Sequence, residues 1–188
     1  MARGTLFLVV GPSGSGKDTL IDAARAALSG DPMVAFPRRE ITRSAEAGGE
    51  DHIAVDADTF DARQAAGAYA LSWTAHGQGY GIPVSIEDQL SSGRGVVVNV
   101  SRGVLDTARR RFNPVRILSL VVPEAVLRER LITRGRETPE AVDQRVARAG
   151  AFTVSGDDVS VVMNDGPLEQ TIERFLAALR ACTAGGSR

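Results

Sequence analysis

The chain has 188 residues, of which 43% are hydrophobic and 24% are charged, and its formal net charge is -1. These values are typical of a soluble domain with a single core, and they argue against disorder, a collagen repeat and a coiled coil. A nearly neutral chain has no long-range attraction to nucleic acid or to a membrane surface, so neither is expected as a partner. The apolar run at residues 6–10 is far shorter than the roughly 20 residues of a membrane-spanning helix. We therefore expect a cytoplasmic protein.

Short apolar runs alternate with helical patterns along the chain. The run Thr5–Val10 is followed by Gly11 and has the composition of a strand buried on both faces of a parallel sheet. A helix is predicted from Lys17 towards Gly30. The other predicted strands are residues 96–100, 115–122 and 159–163, and the other predicted helices are residues 102–112, 124–133 and a last one from 168. This alternation predicts an α/β fold in which a parallel sheet is flanked by helices.

Two segments interrupt the alternation. The first mixes short extended pieces with one short helix near residues 58–65 and is too long for a simple crossover, so we interpret it as an acceptor-binding insertion. The second is an arginine-rich helical pair broken around Gly135 and Pro139, which we interpret as a lid. We predict one domain over residues 1–188, with the core at 1–31, 82–130 and 151–182, the insertion at 32–81 and the lid at 131–150.

A glycine-rich loop follows the first predicted strand and opens the first predicted helix. Its spacing, Gly-x-x-x-x-Gly-Lys, lets backbone N–H groups turn inward around phosphates, and the helix N-terminus adds its positive end. Lys17 is the only lysine among 22 basic residues, which favours a role that needs a compact charge. The alternative is a glycine-rich turn that binds nothing. The predicted ATP-binding residues of this segment are Gly11, Pro12, Ser13, Gly14, Ser15, Gly16, Lys17, Asp18 and Thr19.

The residue after the lysine departs from the usual loop pattern. Asp18 stands where Ser or Thr usually holds Mg²⁺, and Asn99 lies near the end of a predicted strand, where many such kinases have an aspartate. Our hypothesis is that the Asp18 carboxylate binds the Mg²⁺ cofactor, directly or through water. An acidic residue in a first helical turn is also explained by the helix dipole alone. Thr19 is the next candidate ligand.

Three arginines lie close together around a short predicted strand at residues 40–42. Arg38, Arg39 and Arg43 are three guanidinium groups in a chain without overall positive charge. Such a cluster suits a phosphate group on a second substrate. The alternative is a solvated basic edge.

With these motifs in place, the chain resembles the guanylate kinase superfamily along almost its entire length. The matching pieces are residues 11–17, 42–43, 49–55, 80–81, 130–131, 134–135, 145 and 164–165. The resemblance implies a P-loop kinase in which Lys17 acts on the transferring phosphoryl group together with two lid arginines, Arg134 and Arg145. It also implies that Asn164 lies near the adenine of ATP.

Two positions depart from the guanylate kinases, because Ser72 and His52 stand where those enzymes hold guanine. The segments 17–18, 50–52, 72–77 and 80–83 are instead similar to the ribose 1,5-bisphosphate phosphokinases of phosphonate breakdown. That resemblance implies transfer from ATP to ribose 1,5-bisphosphate, with 5-phosphoribosyl diphosphate and ADP as products. The implied acceptor-binding residues are Arg38, Arg39, Arg43, Asp51, His52, Ser72, Trp73, His76 and Tyr80.

Alternatives remain open at this point. For each histidine, a purely structural role is as good an interpretation as ligand contact. A nucleoside monophosphate kinase is the nearest alternative function. A catalytically silent interaction domain is the alternative from another class, but such modules lack the loop lysine and the lid arginines that are present here. The expected partners are ATP and a small phosphorylated sugar, and the protein is expected to be a monomer or a homodimer.

Overall fold

The computed structural model describes residues 2–47, 50–135, 138–150 and 153–184. The helices are α1 (Lys17–Ala27), α2 (Ala57–Ala65), α3 (Ile86–Ser91), α4 (Leu105–Arg111), α5 (Glu124–Arg134), α6 (Pro139–Gly150) and α7 (Leu168–Ala184). The strands are β1 (Leu6–Val10), β2 (Val34–Ala35), β3 (Glu40–Ile41), β4 (Ile53–Ala54), β5 (Tyr69–Ala75), β6 (Gln78–Pro83), β7 (Gly95–Asn99), β8 (Val115–Val121) and β9 (Val159–Met163). None of the helices in these ranges has the length and hydrophobicity needed to cross a bilayer.

The core is a parallel sheet of five strands in the order β2-β7-β1-β8-β9. Every residue of β1 is buried, and its side chains alternate between two hydrophobic clusters. Leu6 and Leu8 belong to the cluster that includes α3 and α4, whereas Phe7 and Val9 belong to the cluster that includes α1 and α7. The sheet is therefore covered by helices on both faces, which confirms the predicted fold class. Because β1 lies at its centre, the loop that follows β1 emerges at the middle of the sheet edge.

A second sheet of four strands, in the order β4-β3-β6-β5, forms from the segment between β2 and α3. Its main unit is the antiparallel hairpin of β5 and β6, which the sequence analysis left as short extended pieces. Glycines inside a strand weaken the sequence pattern of that strand, and here they are required. A Cβ atom at Gly79 would meet the ring of Phe60 of α2, and one at Gly81 would meet the ring of Tyr69.

The border of the insertion differs from the predicted one. Strand β2 pairs with β7 in parallel and so belongs to the core sheet, although the sequence analysis placed its residues in the insertion. Strand β2 has only two residues, and so short a segment has no pattern that identifies a strand from the sequence. The second sheet begins only at β3.

Helices α5 and α6 form a helical pair with a small hydrophobic cluster of its own. This cluster includes Leu127 and Leu131 from α5 and Val142 and Val146 from α6. Gly135 ends α5 in the left-handed conformation, with φ 61°, and α6 begins at a proline. The pair thus spans the segment interpreted as a lid, and its movement stays a prediction.

Candidate active site

The loop between β1 and α1 is folded into a tight curl. Gly14 and Gly16 have φ values of 85° and 86°, a region in which other residues are strained. A Cβ atom at Gly11 would lie 2.7 Å from Ser15 Oγ, so this position also requires glycine. The N–H of Ser15 donates to the carbonyl oxygen of Pro12 at 3.1 Å, which closes the curl. This backbone has the form of a phosphate-binding nest at a helix N-terminus.

The Lys17 side chain folds back over this curl. Its Nζ donates to the carbonyl oxygens of Gly11 at 2.8 Å and Pro12 at 3.0 Å. Burial lowers the pKa of Lys17 from 10.5 to about 8, and the nearby Asp18 carboxylate partly opposes that shift. The charge of Arg39 lowers the Lys17 pKa further. The ammonium group is therefore held ready at the loop, in surroundings that favour an additional negative charge.

Asn164 holds the loop from behind. It is buried, and its Nδ2 donates to the carbonyl oxygen of Ser15 at 2.9 Å. Its Oδ1 accepts hydrogen bonds from Arg130 Nη2 at 3.0 Å and from Thr171 Oγ1 at 3.2 Å. The sequence placed Asn164 near the adenine. The structure gives it a supporting position, and its burial disfavours direct contact with a nucleotide.

Arg130 and Thr171, the two partners of Asn164 Oδ1, were not among the predicted site residues. Arg130 lies in a segment that matches the family, and Thr171 lies in the first turn of α7. A threonine that is 0% exposed at such a position is a detectable signal, because a buried hydroxyl requires a partner. Both residues are connected to the loop through Asn164, whose amide donates to the Ser15 carbonyl oxygen.

Helix α6 brings one predicted arginine to the phosphate loop. Arg145 Nη2 donates to Ser13 Oγ at 2.7 Å, although the two residues are 132 positions apart in the sequence. Arg134 is the last residue of α5, and its side chain lies outside the described part of the structure. The structure therefore brings one of the two expected lid arginines to the loop.

Asp18 and Asn99 are neighbours, as the metal hypothesis requires. Asn99 Nδ2 donates to Asp18 Oδ1 at 2.7 Å, so the end of β7 orients the carboxylate in the first turn of α1. Mg²⁺ prefers hard oxygen ligands and usually takes one or two carboxylates together with substrate phosphates. A single carboxylate beside a phosphate loop fits that preference. In the described ranges, no group of three or more His, Cys, Asp or Glu side chains is arranged to hold a metal ion. Thr19 is exposed on the same helical turn.

On the other side of Asp18, an arginine lies over two aromatic rings. Arg39 forms a bidentate ion pair with Glu50, in which Nε to Oε1 is 2.9 Å, and its Nη1 donates to the carbonyl oxygen of Asn99 at 3.1 Å. Its guanidinium carbon lies 5.1 Å from the ring centre of Tyr80 and 5.7 Å from that of Trp73. The two rings are stacked, with centres 5.4 Å apart and planes 4° apart. Glu50 was not among the predicted site residues, although it directly precedes two of them.

The other two arginines of the predicted cluster differ sharply from one another. Within the described residues, Arg43 Nε and Nη2 are buried and have no hydrogen-bond partner. Such groups are costly to leave unpaired, so they favour an anion in this position. Arg38 is exposed and forms an ion pair with Asp51 at 3.3 Å, at the rim of the site.

His52 is buried, and its ring connects two backbone segments. Its Nδ1 lies 3.0 Å from the carbonyl oxygen of Glu50, and its Nε2 lies 3.1 Å from that of Arg43. Both ring nitrogens are therefore occupied by the protein. The expectation of direct acceptor contact is replaced by a positioning role, in which the imidazole holds the segments that carry Arg43 and Glu50.

Two further predicted acceptor residues lie elsewhere. Ser72 Oγ accepts a hydrogen bond from Gln64 of α2 at 3.0 Å. Successive strand residues point to opposite faces, so Ser72 faces α2 while Trp73 faces Arg39. His76 is exposed in the two-residue turn between β5 and β6, where it and Gly77 have φ values of 52° and 73°. Positive φ at both positions is typical of a type I′ hairpin turn, so the turn explains this histidine's conformation.

Comparisons with known proteins agree with the geometry. A family model described as the P-loop containing region of AAA domain matches residues 1–38 of this chain. Among solved structures, a guanylate kinase from Anaplasma phagocytophilum shares the fold, with a TM-score of 0.65, 19% identity and coverage of 97% of this chain and 87% of the other. A gluconokinase from Sinorhizobium meliloti has a TM-score of 0.55 and 20% identity, with coverage of 98% and 97%. The fold and the loop thus define a P-loop protein of guanylate kinase-like architecture.

Curated relatives narrow this class. The ribose 1,5-bisphosphate phosphokinase PhnN of Thiobacillus denitrificans is 46% identical over 95% of this chain and 94% of its own length. The protein of that name from Pseudomonas fluorescens is 47% identical over 94% and 95%. A bifunctional ribose 1,5-bisphosphokinase-thymidine phosphorylase from Azorhizobium caulinodans is 44% identical over 98% of this chain but only 27% of its own length. This chain belongs to the ribose 1,5-bisphosphate phosphokinase family.

The lowered pKa of Lys17 predicts a pH-dependent stability. Between pH 8 and 10, the unfolded chain keeps Lys17 protonated while the folded protein releases the proton, so the free energy of unfolding should rise with pH. Below pH 8 both states carry the proton, and the contribution is constant. Replacing the residue, Lys17→Met, should remove a rise on the order of 1–2 kcal/mol over that window. Urea unfolding of both proteins across this range measures it, and parallel pH profiles would contradict the assigned pKa.

Proposed function

We propose that this protein transfers the γ-phosphoryl group of ATP to the 1-phosphate of ribose 1,5-bisphosphate, giving ADP and 5-phosphoribosyl diphosphate. The observation that carries the proposal is the similarity to relatives named for this activity over nearly the whole of both chains. The geometry supports it, because Arg39 donates to the Asn99 carbonyl oxygen and Asn99 in turn holds Asp18, the residue that follows the phosphate loop lysine. The cytoplasm, where ATP is available, is the location that we propose.

The donor side uses the curl of residues 11–16 and Lys17. Backbone N–H groups and the N-terminus of α1 would bind the β- and γ-phosphates of ATP. Phosphate oxygens would replace the carbonyl oxygens of Gly11 and Pro12 as acceptors of the Lys17 ammonium group. Because this ammonium is buried, its interaction with a phosphate is stronger than in water.

The acceptor side uses the arginines and the aromatic pair. The unpaired Nε and Nη2 of Arg43 are suited to an acceptor phosphate, and Arg38 with Asp51 lies at the rim. Trp73 and Tyr80 shape the wall of the site. A small cavity is lined by Asp18 and Asn99 together with Arg39, Glu50 and Asp51.

The reaction needs little proton transfer. An oxygen of the acceptor's 1-phosphate forms a bond to the γ-phosphorus, and the bond from that phosphorus to the bridging oxygen breaks, so the electron pair leaves with ADP. A phosphate oxygen is already ionised at neutral pH, and no strong general base is required. Catalysis then depends on alignment and charge neutralisation by Lys17 and by Arg134 and Arg145 from the lid.

Mg²⁺ is the cofactor that fits the donor set. It would be held by the Asp18 carboxylate, directly or through water, and would neutralise charge on the phosphates. Asn99 orients this carboxylate through their hydrogen bond. Thr19 remains the second candidate ligand.

Acceptor profiling tests the proposed function directly. We expect rapid ADP release with ATP and ribose 1,5-bisphosphate, and little release with guanosine 5′-monophosphate. A coupled spectrophotometric assay of ADP measures both, and ribose 5-phosphate is the control for the importance of the 1-phosphate. Strong turnover of the nucleotide without turnover of the bisphosphate would instead favour a nucleoside monophosphate kinase.

A charge-removing substitution tests the metal role of Asp18. Asp18→Asn keeps an oxygen that can accept from Asn99 but removes the negative charge, so half-maximal ADP release should require about tenfold more Mg²⁺. Asp22→Asn is the matched control on the same helix, since Asp22 pairs with Arg25 on the surface at 2.7 Å. An unchanged Mg²⁺ requirement and turnover for Asp18→Asn would reject the hypothesis.

The lid arginine is tested on its own helix. Arg145→Ala should lower turnover by roughly a hundredfold or more, because a guanidinium that neutralises the transferring group is lost. ATP affinity should stay largely intact, since the loop and Lys17 remain. Arg148→Ala is the matched control, because Arg148 is exposed and its Nε donates to the Gln144 carbonyl of the same helix. Steady-state ADP release and calorimetric ATP binding separate the two effects, and weaker ATP binding with normal turnover would contradict this role.

A further inference from the structure

We propose that Arg39 selects the class of acceptor, by covering the Trp73 and Tyr80 rings so that a phosphorylated sugar fits the site and a nucleotide base does not. This inference rests on the proposed function, because it concerns the acceptor of the same site. It adds a specificity-determining residue to that site.

The two aromatic rings form a parallel stacked pair. Trp73 and Tyr80 are directly opposite one another on β5 and β6, and their planes are only 4° apart. Exposed parallel ring faces are a general stacking surface for nucleotide bases, because every base has a π face. Without a cover, this pair would favour an acceptor that carries a base.

The Arg39 guanidinium lies over this ring pair. The Arg39 guanidinium lies within cation–π distance of both rings, at 5.1 Å and 5.7 Å from their centres. A planar guanidinium stacks on aromatic faces much as a base does, so both compete for the same surface. Arg38 lies next to Arg39 in the sequence but is half-exposed and pairs with Asp51, so it is no part of the cover.

Arg39 is held over the rings by Glu50 and by the backbone of Asn99. The Arg39 side chain is only 12% exposed and the Glu50 side chain 13%, and the two form a bidentate ion pair. A further hydrogen bond anchors Arg39 to the carbonyl oxygen of Asn99 at the end of β7. A base could reach the rings only by displacing Arg39, which would leave the Glu50 carboxylate buried and unpaired, an expensive outcome. A sugar phosphate does not need that surface.

The chain provides its own probe for this idea. Trp73 is the only tryptophan, so its fluorescence reports stacking on the ring pair. The experiment titrates guanosine 5′-monophosphate into the wild type and into Arg39→Ala, with ribose 5-phosphate as the ligand that lacks a base. We expect nucleotide binding to tighten by roughly tenfold or more in Arg39→Ala, with saturable quenching that ribose 5-phosphate does not produce.

Three other variants make the result specific. Arg39→Met fills the space above the rings without a charge, so it should gain much less nucleotide binding than Arg39→Ala. Arg38→Ala removes a neighbouring guanidinium that does not touch the rings, and it should gain none. Glu50→Gln keeps Arg39 but removes the ion pair that fixes it over the rings, so a base should displace Arg39 more easily. This variant should therefore gain nucleotide binding, but less than Arg39→Ala does. It also keeps the test decisive if Arg39→Ala does not fold.

The inference is overturned if Arg39→Ala, shown to be folded by circular dichroism, binds the nucleotide no more tightly than the wild type. It is also overturned if the wild type already shows equal quenching, or if Arg39→Met gains as much as Arg39→Ala. If Arg39→Ala does not fold, no gain in Glu50→Gln overturns it. Failure of the proposed function would be seen separately, as absence of ADP release by the wild type with ribose 1,5-bisphosphate.

Discussion

The curl of backbone between β1 and α1 is the constraint on which the rest of the site depends. The curl depends on Gly14 and Gly16, which adopt left-handed conformations that other residues resist. The curl is positioned from below by the fully buried β1 and from behind by the amide of Asn164. Lys17, the first residue of α1, then has its ammonium directed back onto the loop. Core packing, loop conformation and charge placement are thus parts of one arrangement.

Much of the fold could be predicted from the sequence, because strands buried on both faces leave a strong pattern. Runs such as residues 96–100 and 115–122 are predominantly apolar, and the helices between them have regular apolar spacing. The hairpin of β5 and β6 could not be identified in this way. Its glycines make room for the rings of Phe60 and Tyr69, and that reason appears only when α2 is packed on the sheet.

The candidate site was predicted in its composition more than in its geometry. A motif specifies which residues are present, but not the face of the strand on which each one lies. Ser72 and Trp73 are adjacent residues of one strand and therefore point to opposite sides of the sheet. The two faces could not be assigned from the sequence, because the hairpin itself was not identified. Asn164 and His52 were assigned to ligands because they are polar and belong to the matching motifs. Both are buried, and each makes a hydrogen bond to the backbone of a segment that belongs to the site, Asn164 to Ser15 and His52 to Glu50.

The burial of Lys17 has a chemical consequence apart from phosphate binding. An amine whose pKa is about 8 is partly neutral just above neutral pH, and a neutral amine is a nucleophile. Because the sequence holds no second lysine, this chain offers acylating agents and aldehydes a single side-chain amine, at the centre of its loop. A bound triphosphate would return the proton to that nitrogen and shield it, so occupancy of the loop and protection from covalent labelling are two aspects of the same charge.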